Sequence, residues 1–175
     1  YNIYSAWDAG MRFAGDGRHA AIEWMRRNAF EGALIEAIYS PNWTRALPFK
    51  ITQRNLPTAT GRHEVFGRIF SGDSKIEENL KRFEPPVQRE LFTPEALGGR
   101  APDFLTFSTQ VFEWTGDGEV QEFFSALDEG RVPGWRKAFE STTRARSPLA
   151  YPAGIDFLTP RMIVIRPEQA APQER

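Results

Sequence analysis

Residues 11–24 read MRFAGDGRHAAIEW, a strand-like apolar approach, then Gly-x-Gly, then an amphipathic pattern. Asp16 is a suitable N-cap for a helix over residues 17–28. Apolar side chains recur there at steps of three and four, which puts them on one face: Ala20, Ala21, Trp24 and Met25. The stretch therefore predicts a strand, a glycine turn and a helix in immediate succession.

Such a turn directs backbone N–H groups and the positive end of a helix dipole at one point. Arg18, in the first helical turn, adds a guanidinium that can hold a phosphate through two hydrogen bonds. We therefore expect phosphate or nucleotide binding at Gly15, Asp16, Gly17 and Arg18. The alternative is that both glycines only turn the chain and Arg18 is solvated.

The string Ala14-Gly15-Asp16-Gly17-Arg18-His19-Ala20-Ala21 resembles the signature of the ParB/sulfiredoxin superfamily. In that superfamily a strand, a glycine–arginine turn and an alanine-containing helix bind the phosphate of a nucleotide or nucleic acid. The resemblance implies a ParB/sulfiredoxin-like α+β fold with a single mixed sheet and flanking helices.

Members of this superfamily include nucleotide-hydrolysing partition proteins, DNA nucleases and an ATP-using sulfinic acid reductase. The chain has no cysteine, so the reductase chemistry is not expected. The resemblance implies DNA and nucleotide as partners, ATP as a cofactor, and ATPase or DNase activity. Scattered carboxylates could hold Mg²⁺ through a few oxygen ligands, without a defined spacing. The superfamily also includes small plasmid proteins that inhibit conjugative and T-DNA transfer. Resemblance to these would add a protein of the conjugation apparatus as a partner.

Both histidines of the chain occur in a Gly-Arg-His tripeptide, at His19 and at His63. His63 and Glu64 could act as a general base and its orienting carboxylate, with Arg62 or Arg68 stabilising phosphate charge. The candidate catalytic residues are therefore Arg18, His19, His63 and Glu64. The alternative is that His63 caps a hairpin and Glu64 is a cross-strand surface partner.

The most basic stretch lies between Arg131 and Arg146 and includes Arg136, Lys137 and Arg144. Its rings, Trp135 and Phe139, could stack on bases while the cations follow a nucleic-acid backbone. The candidate nucleic-acid-binding residues are Arg62, Arg68, Arg144 and Arg146. A solvated helix face followed by a loop is the alternative.

The remaining elements follow from periodicity and turn residues. Residues 33–39 fit either a strand or a helical continuation, and 49–54 and 63–70 read as a strand hairpin. A helix is expected from about residue 74 to 83, an irregular surface loop over 92–102, and a strand over 104–114. Helices over 119–129 and from Pro133 through Phe139, and a strand over 162–165, complete the prediction.

Length and composition limit the remaining choices. The chain has 175 residues and a net charge of −1, and 41% of its residues are hydrophobic and 13% aromatic. We expect one α+β domain over residues 1–166, with an aromatic core, and a disordered tail over 167–175. No apolar run is long enough to span a bilayer, and a cytoplasmic location is expected. No metal site is predicted, because two histidines and no cysteine give no ligand spacing.

The leading functional hypothesis is a nucleotide- and DNA-binding protein that hydrolyses a phosphoester or phosphoanhydride and inhibits conjugative transfer. The sequence leaves open whether the chain is an enzyme. One alternative is a non-catalytic inhibitor or adaptor that binds another protein through exposed rings such as Trp43 or Trp135. Another is a metal-free RNA-processing protein that uses the same arginines and histidines.

Overall fold

A computed structural model of the chain describes residues 16–38, 51–56, 88–109, 111, 117–142 and 161–168. These ranges contain three α-helices, one 3₁₀ helix and one five-stranded sheet. The elements are α1 (Gly17–Asn28), β1 (Leu34–Ile38), β2 (Thr52–Leu56), the 3₁₀ helix (Arg89–Leu91), α2 (Pro94–Arg100), β3 (Phe104–Ser108), α3 (Gly118–Asp128), β4 (Trp135–Glu140) and β5 (Met162–Pro167). The predicted α+β class is confirmed.

The sheet has the strand order β2-β1-β3-β5-β4 and is mixed. β1 pairs in parallel with both β2 and β3, whereas β5 runs antiparallel to β3 and to β4. β1, β2, β3 and β4 therefore share one direction and β5 opposes them. The carboxyl ends of four strands consequently meet at one edge of the sheet.

Each face of the sheet has its own apolar core, because side chains alternate along a strand. The α1 face buries helix residues against strand residues: Ala21, Ile22 and Met25 against Ile35, Phe104, Met162 and Val164. The opposite face buries α2 and α3: Leu97, Phe123, Phe124 and Leu127 against Ile38, Leu105, Phe107, Ile163 and Ile165. The described part of the chain is thus layered as helix, sheet, helix.

The direction of α1 follows from its connection to β1. Only residues 29–33 separate them, and Gly32 has a φ of +83°, a left-handed conformation that glycine adopts without strain. Trp24, in the second half of α1, packs edge-on against Phe104 at the start of β3, with ring centroids 5.9 Å apart. The amino end of α1 therefore lies toward the carboxyl ends of β1 and β3.

The two long helices agree with the sequence. The prediction for residues 17–28 matches α1, including its N-cap, and the prediction for 119–129 matches α3 within one residue. Asp117 caps α3 by accepting from the backbone N–H of Glu119 at 3.1 Å. Phe124 packs on Phe107 at 4.9 Å, which confirms an aromatic contribution to the core.

The loop predicted over 92–102 is wrong, because residues 94–100 form α2. Thr93 supplies its N-cap, with Oγ1 accepting from the N–H of Ala96 at 3.1 Å. Pro94 stands in the first turn, where a missing N–H leaves no bond unmade. Burial of Leu97 against the sheet outweighs the helix-weakening Gly98 and Gly99.

The helix predicted from Pro133 through Phe139 is also wrong, because this segment forms β4 at one side of the sheet. Gly134 has a φ of +77° and the strand follows directly. Lys137 lies opposite Ile165 and Phe139 lies opposite Val164, so Ala138 is the extra residue of a β-bulge. The bulge explains why apolar side chains recur at helix-like steps here although the segment is a strand.

The other predictions are met in part or lie outside the described residues. Residues 34–38 form a strand, which settles the ambiguity over 33–39, and the strand predicted over 104–114 ends at Ser108. The strand near 49–54 is β2, which pairs with β1 in parallel. Its expected hairpin partner at 63–70, the helix near 74–83 and tail residues 169–175 lie outside the described residues. β5 extends to Pro167, which the sequence assigned to the tail.

Candidate phosphate site

The amino end of α1 is organised by Asp16. Its side chain is buried, and Oδ1 accepts hydrogen bonds from the backbone N–H of Arg18 at 2.9 Å and from its Nε at 3.0 Å. Oδ2 accepts from the same Nε at 2.8 Å. The backbone carbonyl of Asp16 accepts from the N–H of His19 at 3.0 Å. One carboxylate therefore caps the helix and meets the guanidinium of Arg18.

This geometry changes the predicted roles of Asp16 and Arg18. The sequence placed both in contact with a phosphate, whereas the structure pairs them with each other. Asp16 holds negative charge at the positive end of the α1 dipole, where an anion would otherwise bind. The Arg18 side chain retains 33% exposure. An incoming phosphate would have to compete with the Asp16 carboxylate for this guanidinium.

Two buried hydroxyl groups occupy the carboxyl half of β3. Thr106 and Ser108 alternate with Leu105 and Phe107, so they face the same side of the sheet as α1. Among the described residues, neither Thr106 Oγ1 nor Ser108 Oγ has a hydrogen-bond partner. A buried hydroxyl without a partner is destabilising and calls for a bound molecule or a role in the site. The alternating sequence pattern over 104–114 does not distinguish Thr106 and Ser108 from other polar residues of a strand.

The structure brings together only part of the predicted site. Asp16, Gly17, Arg18 and His19 are adjacent at the start of α1, with Gly17 buried and His19 exposed. The other predicted site residues lie outside the described residues: Gly15, Arg62, His63, Glu64, Arg68, Arg144 and Arg146.

The basic stretch near β4 is largely neutralised. Arg131 bonds to Glu122 at 2.7 Å and to Glu129 at 2.6 Å, and Lys137 Nζ lies 2.6 Å from Glu140. Trp135 is buried in the core, so the expectation that it is an exposed anchor for a protein partner is wrong. Trp43, the other proposed anchor, lies outside the described residues.

Glu36 forms a buried ion cluster that sequence reasoning missed. Its side chain is 0% exposed on β1, and Arg100 Nε approaches its two carboxylate oxygens at 2.9 and 3.1 Å. Arg54 lies opposite it on β2, with Nη1 at 3.3 Å. Arg100 also donates to the carbonyl of Leu91 at 2.8 Å, which joins the end of α2 to the 3₁₀ helix. The cluster therefore holds α2 and the 3₁₀ helix against β1 and β2 of the sheet.

A second cluster joins α3, β4 and the start of β5 through two acids and two bases. Arg161 bonds to Asp128 at 2.9 Å and also to Glu140, while Lys137 pairs with both carboxylates. The hydrogen bond from Lys137 lowers the pKa of Glu140, aided by Arg161 and opposed by desolvation. Desolvation would lower the pKa of Lys137, but its hydrogen bonds to Asp128 and Glu140 raise it overall.

Searches for other kinds of site were confined to the described residues. Within them no three histidine or acidic side chains are placed to hold a metal ion, and no helix has the length and apolarity to cross a membrane. Comparisons with protein-family profiles, curated proteins and solved structures found no significant match.

Proposed function

We propose that the chain binds a phosphate group, of a nucleotide or of DNA, at the amino end of α1. The observation that carries the proposal is a shared direction: the amino end of this twelve-residue helix, which packs on β4 and β5, points the same way as the carboxyl ends of β1, β3 and β4. In open sheets flanked by helices, ligands bind outside the carboxyl ends of parallel strands. The unpartnered hydroxyls of Thr106 and Ser108 on the same side of β3 support the assignment.

Binding would proceed by exchange at Arg18. The guanidinium bonds to Asp16, and a phosphate would replace that carboxylate. The terminal phosphate of a nucleotide offers more acceptor oxygens and more charge than a carboxylate, whereas a DNA phosphodiester offers the same number of each. The backbone N–H groups of the first helical turn would add the favourable end of the helix dipole. Asp16 thus acts as an internal competitor for the guanidinium of Arg18.

Hydrolysis of the bound phosphate is the further part of the proposal. Arg18 would neutralise the phosphate, and His19 or His63 would transfer the proton, with a glutamate orienting the base. Glu23 bonds to Arg27 at 2.7 Å and lies 3.6 Å from Arg26, so Glu64 is the better candidate for that role. ATP with Mg²⁺, or DNA, would be the substrate. Together with the ParB/sulfiredoxin resemblance, this activity would suit an inhibitor of plasmid or T-DNA transfer.

The direct test compares Arg18→Ala with Arg27→Ala, which removes the same charge from the opposite end of α1. Labelled ATP and plasmid DNA are titrated against both variants, and nucleotide hydrolysis and DNA nicking are followed on the same samples. We expect a loss of about tenfold or more in affinity for Arg18→Ala, since a charge-assisted bond contributes about 1.5–3 kcal/mol. Equal binding by the two variants would remove Arg18 from the site.

The exchange is tested by Asp16→Asn. Asparagine keeps a good N-cap but releases the guanidinium and removes a negative charge, so we expect tighter phosphate binding at little cost to stability. Glu122→Gln, the same change of charge on the exposed surface of α3, is the control. Weaker binding by Asp16→Asn would mean that Asp16 positions Arg18 instead of competing for it.

A further inference from the structure

Two arginines face each other across strands β4 and β5. The register pairs Arg136 with Arg166. Trp135 and Ile165, their chain neighbours, belong to the core on the α3 side, so alternation turns both arginines toward the α1 side. Arg136 is exposed and Arg166 is half-buried. The pair lies near the amino ends of β3 and β4, away from the Asp16–Arg18 pair.

These two arginines differ from all the others that the structure describes. Eight others each form an ion pair with a carboxylate: Arg18, Arg26, Arg27, Arg54, Arg89, Arg100, Arg131 and Arg161. Within the described ranges, Arg136 and Arg166 have no such partner, and the buried Nε of Arg166 has no acceptor.

This arrangement is unfavourable for the protein alone. Like charges directly opposite each other on neighbouring strands destabilise the pair, and a buried N–H without an acceptor adds a further desolvation cost. Local conflicts of this kind are found where a protein binds something. An anion between the two guanidiniums would turn their repulsion into attraction and supply the missing acceptor.

We propose that Arg136 and Arg166 form a second phosphate site, which binds the backbone of a single-stranded nucleic acid. Two guanidiniums carried at directly opposite strand positions on one face of the sheet could together bond the oxygens of a phosphate. Trp24 and Phe139 are stacked at 5.7 Å on the same side of the sheet, and both are partly exposed. They offer an apolar ring surface beside the cations, the combination that single-strand binders use. β4 is the last strand of the described sheet, and Arg136 on it is exposed.

Distance favours a polymer over a mononucleotide, a step that rests on the proposed function. The twelve residues of α1 at about 1.5 Å each separate its two ends by about 18 Å. The Arg18 site lies at one end and the arginine pair toward the other. A ligand that contacts both sites must span this distance, which a strand of several nucleotides does.

The test uses the full chain, a labelled single-stranded oligonucleotide, and fluorescence anisotropy at a series of salt concentrations. Variants are Arg136→Gln, Arg166→Gln and the double variant. The control is Arg89→Gln/Arg131→Gln, which removes two ion-paired arginines elsewhere. Losing two phosphate contacts should make the slope of log K against log salt shallower by about 1.4 in the double variant. Its melting temperature should match or exceed that of the parent, because an unfavourable pair has been removed.

Four outcomes would overturn this proposal: no oligonucleotide binding by the parent, an unchanged slope in the double variant, an equal loss in the control, or a marked fall in the melting temperature of the double variant. A fifth outcome would overturn the proposal as well: if the variants lose binding of inorganic phosphate or ATP but keep oligonucleotide binding, the arginine pair binds a small ligand. Arg18→Ala is measured in parallel. Weaker oligonucleotide binding by the Arg136 and Arg166 variants, with unchanged binding by Arg18→Ala, would support the Arg136–Arg166 site and reject the site at the amino end of α1.

Discussion

At the scale of single residues, Glu36 is the most demanding position in the described fold. A fully buried carboxylate is tolerated only when opposite charge and hydrogen bonds replace water. Arg100 supplies both, with its own side chain only 11% exposed, and Arg54 adds a longer contact from β2. Removing one partner of such a pair leaves an uncompensated buried charge, which is more destabilising than removing both.

We therefore expect Glu36→Gln to lower the free energy of unfolding by about 3 kcal/mol, because Arg100 would remain buried without its carboxylate. The double variant Glu36→Leu/Arg100→Leu should lose less than the sum of the losses in Glu36→Leu and Arg100→Leu. Urea unfolding of the four proteins gives the coupling energy. Additive losses would show that the pair does not act as a unit.

At the scale of elements, two features overrule the periodicity and propensity of the sequence: a β-bulge in β4 and an N-cap at α2. The bulge at Ala138 changes the alternation of β4, so that Lys137 and Glu140 both reach the α3 side while Arg136 and Phe139 face α1. In α2, a threonine cap and one buried leucine maintain a helix through a Gly-Gly pair. Both features depend on the neighbouring sheet.

The cap of α2 gives a clean prediction. Thr93→Ala removes the acceptor for the N–H of Ala96, and we expect a loss of about 1 kcal/mol in stability. Thr93→Ser keeps the hydroxyl and should stay close to the parent. Thermal unfolding followed by circular dichroism compares the three proteins. An equal loss in the serine variant would assign the effect to the methyl group instead of the cap.

At the scale of the whole molecule, the cluster of Asp128, Lys137, Glu140 and Arg161 ties α3 and β4, which are consecutive, to the start of β5, where Arg161 lies 21 residues beyond Glu140. Because its two acids balance its two bases, it adds no net charge. Its strength depends on pH through Glu140, whose pKa is lowered in the folded state. Stabilisation from such a group is present above its unfolded-state pKa and is lost as pH falls through the folded-state value.

Glu140→Gln should therefore be less stable than the parent near neutral pH, by about 1 kcal/mol or less because the group is partly exposed. The difference in stability should vanish in acid, once the pH is well below the pKa of about 4.3 of an unperturbed glutamate. Urea midpoints measured over a series of pH values provide the check, with Glu122→Gln as the control. A difference that persists unchanged into acid would contradict a charge-based role.

The candidate site separates the features that neighbouring residues predict from those that depend on the tertiary structure. The cap and helix at residues 16–28 depend on neighbours within a few positions, so the sequence predicted them correctly, whereas the predicted strand and glycine at 11–15 lie outside the described residues. The pairing of Arg18 with Asp16 is just as local, but choosing between that carboxylate and an external phosphate required the side-chain geometry. The Arg136–Arg166 pair joins residues thirty positions apart and depends on strand register, for which the sequence carried no signal.

By itself the sequence determined the α+β class, the two amphipathic helices α1 and α3 and much of the apolar core, because periodicity and capping act over one or two turns. Only the tertiary structure decided the order of the strands, the helix at 94–100, the bulged strand at 135–140 and the partners of each charge. These features depend on contacts between distant segments, and a sheet gains its stability from neighbours that local propensity cannot identify.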